Sequence, residues 1–407
     1  MDFSLSKHAK IIYDSTLQFI DEQIKPIEED YYRELHAGPS PWVVLPIVEK
    51  LKAAAREQGL WNLFYPDDQY GRGLNNLEYA YVAEATGQSF IAPEIFNCNA
   101  PDTGNMEVLI KYGTVEQKER FLSPLLEGKT RSAFGMTEPD VASSDATNMQ
   151  ATAVADADEI IINGRKWWTT GIGHPNCEFI IFMGRSLPDA PRHQQHSMVL
   201  VPLKTPGVKV ERMLDVFNDY DAPYGHGEVS FTDVRVPKEN VILGLGRGFE
   251  IAQGRLGPGR VHHCMRAIGA AERALKLMVE RAKSRVAFGK PLSHLGGNME
   301  RIADARMALE QARLLTLKAA WSIDRDHNQQ GKLSGDSISL VSQIKVVVPN
   351  MLQTLVDEAI QLYGGEGLCQ DAALAALFGY ARVLRIADGP DAVHRAVVAK
   401  QELKAHD

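Results

Sequence analysis

The hydrophobic period changes twice along this chain, and that change limits the folds open to it. Up to about residue 130, apolar residues recur at helical spacing, as in 43–56 and 77–85. Thr114 followed by Gln117 has the pattern of a capping box, and the helix it opens should stop near Gly128. From Ser132 to about Val241 the period shortens to two. Strand-like runs occupy 149–155, 159–162, 166–170, 178–183, 197–202, 208–213 and 227–231, punctuated by Gly, Pro, Asn and Asp. Asn163-Gly164 falls between two of these runs and predicts a hairpin turn. From about Gly248 the helical period returns. Ile268, Ala271, Leu275, Met278 and Ala282 share one stripe; Ile302, Ala305, Leu309, Ala312 and Leu315 share a second; Leu355, Ala359 and Leu362 share a third. Pro349 should kink or begin that third helix. The expectation is an α+β chain in three parts: an N-terminal α-helical domain (1–131), a middle antiparallel β-barrel or sandwich (132–243) and a C-terminal four-helix bundle (244–407).

Several function classes recede on the same residues. A net charge of -8 over 407 residues, with no long basic run, disfavours nucleic acid. The N-terminus reads as an amphipathic helix rather than a signal peptide, and no apolar run is long enough to span a membrane. Cys98, Cys177, Cys264 and Cys369 are scattered, which predicts free thiols in a reducing, cytoplasmic setting. Gly244–Phe249 superficially resembles a dinucleotide fingerprint, but no βαβ frame surrounds it. Metal ligation is not expected: His262 and His263 are adjacent and diverge on a helix, while His226 and His294 stand alone. The acidic stretch 215–221 reads as a solvated loop, and no GxSxG motif is present.

Three stretches carry more chemistry. Ser132–Asp145 begins as a strand and ends in a turn crowded with small hydroxyl residues; it is a structural turn or a ligand loop. In Asn163–Gly171, adjacent tryptophans on a strand face opposite sides, so one can be core while the other walls a ring pocket. In Arg385–Arg395, Asp388 precedes Gly-Pro at a helix boundary, where it is an N-cap or a base in a cleft.

Together these stretches resemble the acyl-CoA dehydrogenase family in order, spacing and domain plan, over nearly the whole chain. The segment ending SAFGMTEP resembles the family's entry into its β domain, INGRKWWTTG its flavin hairpin and RVAFGKPL its bundle motif; YGGEGL followed by ADGPD resembles its C-terminal end. TEPDVASSD and ADGPD are most similar to the branch of acyl-CoA dehydrogenase family members 10 and 11. The resemblance implies FAD as cofactor. Phe134, Met136 and Thr137 would contact the flavin ring; Ser143 or Ser144 would lie beside flavin phosphate and CoA. Trp168 and Thr170 would cover the isoalloxazine and bond its N5 side. Arg285 and Phe288 would reach the FAD of a neighbouring subunit, with Gln361, Gly364 and Gly365 at its pyrophosphate. Arg260 and Gly389, with Ser144, would border the substrate.

Asp388 matches the family's catalytic glutamate and is one methylene shorter. The alternative base position on an earlier helix is Gly259, which has no side chain. Gly379 and Gly296 replace a usual arginine and a usual glutamine. The implied reaction is α,β-dehydrogenation of an acyl-CoA to a trans-2-enoyl-CoA. Asp388 takes the α-proton, the hydride goes to flavin N5, and the Asp388 N–H and a ribityl hydroxyl polarise the thioester carbonyl. The resemblance further implies an electron-transfer flavoprotein as acceptor and a homo-oligomer, a dimer or a dimer of dimers. Rival readings are a nitroalkane or acyl-CoA oxidase on the same fold, or a non-enzymatic DNA-associated flavoprotein. Chain length, branching and hydroxylation of the acyl group are not readable from these residues.

Overall fold

The Ser6 hydroxyl accepts from the Ala9 N–H at 3.2 Å and opens the first helix, α1 (Lys7–Phe19). A π turn at Ile20–Ile24 carries the chain into α2 (Lys25–Ala37). The structure is a computed structural model and describes residues 1–330 and 333–406. Next come α3 (Pro46–Glu57), α4 (Asn76–Thr86), α5 (Ala92–Ile95), α6 (Asp102–Tyr112), α7 (Val115–Gln117) and α8 (Ser123–Leu126). The strands are β1 (Arg131–Gly135), β2 (Thr152–Asp156), β3 (Glu159–Thr170), β4 (Cys177–Arg185), β5 (His196–Pro202), β6 (Val208–Leu214) and β7 (His226–Pro237). Then α9 (Gly248–Ser284), the short pair β8 (Val286–Ala287) and β9 (Lys290–Pro291), α10 (Asn298–Gln330), α11 (Gly335–Tyr363), α12 (Leu374–Leu384) and α13 (Asp391–Ala405) complete the chain.

The capping box forms as expected: Thr114 Oγ1 accepts from Gln117 N at 3.2 Å, and Gln117 Oε1 accepts from Thr114 N at 3.1 Å. Gly128, with φ +66°, lies just past α8.

The described residues fall into two compact units. One comprises Met1–Glu28, Leu63–Pro93 and Gly257–Asp407 and is helical. In it α10 packs on α11, α11 on α12 and α13, and α4 on α1 and α10. The stripe Ile268, Ala271, Leu275, Met278 and Ala282 is buried, as are Leu309, Ala312, Leu355, Ala359 and Leu362. Arg313 ties α10 to α4 and α9 through Glu84 (2.8 Å) and Glu272 (2.5 Å). Pro349 lies inside α11 and does not begin it.

The other unit comprises Glu29–Asn62 and Glu94–Leu256 and holds the sheet. Strand order is β1-β4-β2-β3-β7-β6, with β5 on β4. The pairings β2/β3, β3/β7, β6/β7 and β4/β5 are antiparallel, whereas β1 runs parallel to β4, Ala133 opposite Ile180. Ile160, Ile162, Phe182, Val199, Val201, Val229, Phe231 and Val234 fill its core. The hairpin expected at Asn163-Gly164 is not there. Both residues lie within β3, where the register against β7 shifts between Ile162 and Gly164. Gly164 has φ +134°, and a Cβ there would stand 2.5 Å from Ala151 Cβ, so an Asn-Gly pair serves a bulge here. The turn joining β2 to β3 is Ala157-Asp158 instead, with Ala157 at φ +51°. Cys98, Cys177 and Cys264 are buried, and Cys369 is half-buried. Among the described residues no helix is long and apolar enough to cross a membrane.

Candidate active site

In the sheet unit, β1 runs straight into Met136-Thr137-Glu138. Lys166 on β3 is fully buried, and its Nζ donates to Glu138 Oε1 at 2.7 Å and to Met136 O at 2.9 Å. The Glu138 carboxylate also accepts from Gln150 N (2.8 Å) and Ala151 N (3.0 Å). Burial pushes the Lys166 ammonium down to about 8 against the pull of Glu138. Trp167 N donates to Thr137 O at 3.0 Å, so this turn is held along its whole length. The serines behind it differ. Ser143 Oγ accepts from Glu138 N at 2.9 Å and closes the turn from inside, whereas Ser144 is exposed.

A second register shift in β3, between Lys166 and Thr169, turns out Trp168. Its φ is +50°, rare for a large side chain, and it is 40% exposed. Trp167 is half-buried, so neither tryptophan is full core. Beside Trp168, Thr170 Oγ1 lies 2.9 Å from His226 Nδ1, and His226 Nε2 lies 3.6 Å from Asp221 Oδ2. Burial pushes His226 down to about 4, so the ring is neutral near pH 7. The result is an open aromatic face next to a hydroxyl fixed by a neutral imidazole, which suits a planar, hydrogen-bonding ligand.

In the helical unit, Asp388 sits between α12 and α13 at φ +54°, followed by Gly389 at φ +101°. The N-cap of α13 is Pro390, so Asp388 does not cap it. A Cβ on Gly389 would meet His394 Nε2 at 2.9 Å, which leaves glycine as the residue that fits. The Asp388 main-chain carbonyl accepts from Arg260 Nε and Nη2, both at 3.3 Å, and lies 3.1 Å from His394 Nε2. Lys345, buried on α11, donates to Leu384 O at 2.7 Å and Ala387 O at 2.8 Å. Asp391 receives Arg385 Nε at 3.0 Å and Asn350 Nδ2 at 3.1 Å. Side chains of α9, α11 and α13 therefore grip the backbone of the turn, and the Asp388 carboxylate is met by His263 Nε2 at 3.4 Å from Oδ2. Arg260, expected at a substrate channel, is placed against the carbonyl of the expected base.

The remaining expected contacts lie on exposed turns of the helical unit. Phe288 is 96% exposed at the tip of the β8/β9 pair, and Arg285 is exposed beside it. Gln361, Gly364 and Gly365 are exposed at the end of α11, and a Cβ on either glycine would meet nothing within 4 Å. Arg281 braces this end, donating to Tyr363 O at 3.1 Å and pairing with Glu366 at 2.9 Å.

Sequence reasoning missed Lys166, Glu138, His226, His263, Lys345 and His394. Lys166 and Glu138 stood inside the quoted motifs without a role. Nothing in the spacing marks the histidines or Lys345; His226, His263 and Lys345 meet Thr170, Asp388 and Ala387 from far along the chain.

Buried histidines give the protein an acid-sensitive stability. His174, His226 and His394 are each pushed down to about 4 by burial, and His262 is held well below its ordinary value by the same cause. Below about 6.5 the unfolded chain binds protons that the folded chain refuses, so stability falls as pH drops from there towards 4. Asp102 and Asp221, pushed up by burial to about 6 and about 7, and Glu84, raised by the same cause, oppose this but are fewer than the histidines. Thermal melts should show a lower midpoint at pH 5 than at pH 7, and equal midpoints would refute the burial argument.

The geometry has counterparts among known proteins. The family descriptions "Acyl-CoA dehydrogenase, N-terminal domain", "middle domain" and "C-terminal domain" match residues 6–129, 133–234 and 246–403. The chain is 54% identical to acyl-CoA dehydrogenase family member 10 of Mus musculus over 98% of its own length, and 52% identical to family member 11 of Gallus gallus over 95%. It spans only 37% and 49% of those two relatives. A solved Mycobacterium abscessus structure, provisionally named an acyl-CoA dehydrogenase, is 56% identical and superposes with a TM-score of 0.95, covering 99% of this chain and 100% of that one. PigA, solved with FAD and proline, is 25% identical with a TM-score of 0.83 and full coverage of both chains.

Proposed function

The chain belongs to the acyl-CoA dehydrogenase family, and from that premise we propose that it is an FAD-dependent oxidoreductase that converts acyl-CoA thioesters to trans-2-enoyl-CoA, with Asp388 as the base. The observation that carries the reading is the Asp388 turn: a half-buried carboxylate on a backbone gripped by Arg260, His394 and Lys345. A group that must meet one C–H bond of a bound substrate needs such fixing.

The residues fit FAD. Trp168 offers a ring-sized apolar face, Thr170 a hydroxyl, and the exposed glycines at 364 and 365 leave room for close backbone approach. When bound, FAD supplies the acceptor for the hydride leaving the β-carbon. A His226 ring protonated at Nδ1 donates to Thr170 Oγ1, which frees the Thr170 proton to point away from the protein. Phe134, Met136 and Thr137 supply the strand edge, and Ser144, the exposed serine, supplies the hydroxyl for ligand while Ser143 closes the turn. Asp388 accepts the α-proton and its N–H polarises the thioester carbonyl; Gly389 and Arg260 shape the approach. The exposed Phe288, Arg285 and Gln361 support a homo-oligomer in which a second copy completes the cofactor site. An electron-transfer flavoprotein is the acceptor in this reading, and 1–131, 132–243 and 244–407 are its proposed domain bounds.

Anaerobic titration of the FAD-loaded protein with acyl-CoAs of graded length tests it. Bleaching of the flavin's visible band by one length class is the expected outcome and names the substrate. If no acyl-CoA bleaches it while a nitroalkane does, the aspartate base belongs to a nitroalkane oxidase on the same fold. If neither does, the reading reduces to fold alone.

A further inference from the structure

The main chain of the Asp388 turn is gripped by Arg260, His394 and Lys345, so the aim of the carboxylate itself is set by contacts to the side chain. A contact of that carboxylate bears on its rotation: His263 Nε2 lies 3.4 Å from Asp388 Oδ2. One turn further along α9, Arg266 is buried and its Nη2 lies 3.2 Å from His263 Nδ1. A guanidinium has donors and no acceptor, so His263 Nδ1 must accept from it. The single proton of the neutral ring then sits on Nε2, the nitrogen that faces Asp388.

We propose that His263 and Arg266 are positioning residues for the base: Arg266 fixes His263 as its neutral Nε2–H tautomer, and His263 donates to Asp388 Oδ2 and sets the rotation of the carboxylate. The proposal rests on the reading of Asp388 as the base. An aspartate, one methylene shorter than a glutamate, cannot correct a misaimed carboxylate by flexing, so a fixed rotation matters more here. The neutral tautomer matters as well. An imidazolium at this distance would stabilise the ionised carboxylate and weaken it as a base, whereas a neutral N–H orients it at smaller cost. Arg266, cationic and next to Nδ1, opposes protonation of the ring. In the reaction the proton passes from the substrate α-carbon to Asp388, the C–H electron pair stays on the substrate, and His263 keeps its own proton.

Among the described residues of the helical unit, the groups around this pair include Arg260, His262 and Cys264 from α9, Lys345 from α11 and His394 from α13, with Asp391 acting on Lys345. His394 titrates near 4, Cys264 is pushed up to about 12, and His262 lies well below its ordinary value. Arg266 also helps to hold His262 down, so an ionisation appearing between 5 and 8 on its removal is assigned to His263 by the nitrogen-15 spectra.

The test uses FAD-loaded wild type, His263→Ala, His263→Gln, Arg266→Met and Asp388→Asn. Anaerobic flavin bleaching by the acyl-CoA that reduces wild type is followed by stopped flow across pH 5–8. Nitrogen-15 spectra of histidine-labelled protein read the His263 tautomer directly. His263→Ala should bleach about 100-fold more slowly at saturation, with little change in the half-saturating concentration. His263→Gln, whose amide is also a neutral donor, should recover most of the rate. Arg266→Met should add an ionisation at about 6.5 to the rate profile. An Nδ1–H tautomer in wild type, or a His263→Ala protein with wild-type rate and profile, overturns the proposal. Should His263→Ala lose FAD or fold, the Arg266→Met profile and the tautomer decide alone. Bleaching by Asp388→Asn at the wild-type rate removes the base itself; an inactive Asp388→Asn beside a fully active His263→Ala removes only the positioning pair.

Discussion

Asp388→Asn should keep its FAD spectrum and its melting temperature and lose turnover by about 10²–10⁴-fold. The side chain is changed without touching what holds the turn. Arg260 and His394 bind the main-chain carbonyl of residue 388, and Lys345 binds the carbonyls of Leu384 and Ala387, so all these contacts survive. An amide of nearly the same shape cannot take a proton at neutral pH. Loss of turnover in a protein that is still yellow and still folded therefore isolates proton abstraction. Flavin bleaching in a single turnover is the measurement, because it reads chemistry before any electron acceptor enters. A variant that bleaches at the wild-type rate would remove Asp388 from the reaction and return the Gly259 helix and its neighbours to consideration.

Period and capping made much of this legible in the sequence. The buried stripe from Ile268 to Ala282 and the Thr114 box are local features, set by spacing along one element, and both form as read. The turn chemistry was legible but ambiguous. Asn-Gly accepts a left-handed backbone equally well in a hairpin or in a bulge, and only the pairing of β3 with β7 over its length decides for the bulge. Asp388 stood out because Gly389 and Pro390 bracket a helix boundary, yet the same bracket reads as an N-cap until Pro390 is seen to hold that place. The grip on it was not legible at all. His263 and Asp388 are 125 positions apart, and His226 reaches Thr170 across a strand pairing, so no local spacing encodes either contact. Ser143 and Ser144 show the limit most plainly: neighbours of one chemistry are separated by which of them turns toward Glu138.

Lys166→Met should strongly destabilise the sheet unit, lowering stability by about 3–5 kcal/mol. The methionine fills the space of the lysine stem, so little packing is lost. The damage comes from Glu138, a buried carboxylate left without its cation, although Gln150 N and Ala151 N still donate to it. Met136 O loses a donor at the same time. The Met136-Thr137-Glu138 turn carries residues proposed to contact flavin, so weaker FAD retention should accompany the lower urea midpoint. A double variant separates charge from packing. Lys166→Met with Glu138→Gln removes both charges and keeps an acceptor for one backbone N–H, so it should recover a large part of the loss. If the single variant costs under about 1 kcal/mol, or the double variant is no better than the single, the pair is not what holds this turn. Recovery in the double variant without recovery of FAD retention would make the lysine's bond to Met136 O, and not the ion pair, the contact that shapes the turn for its ligand.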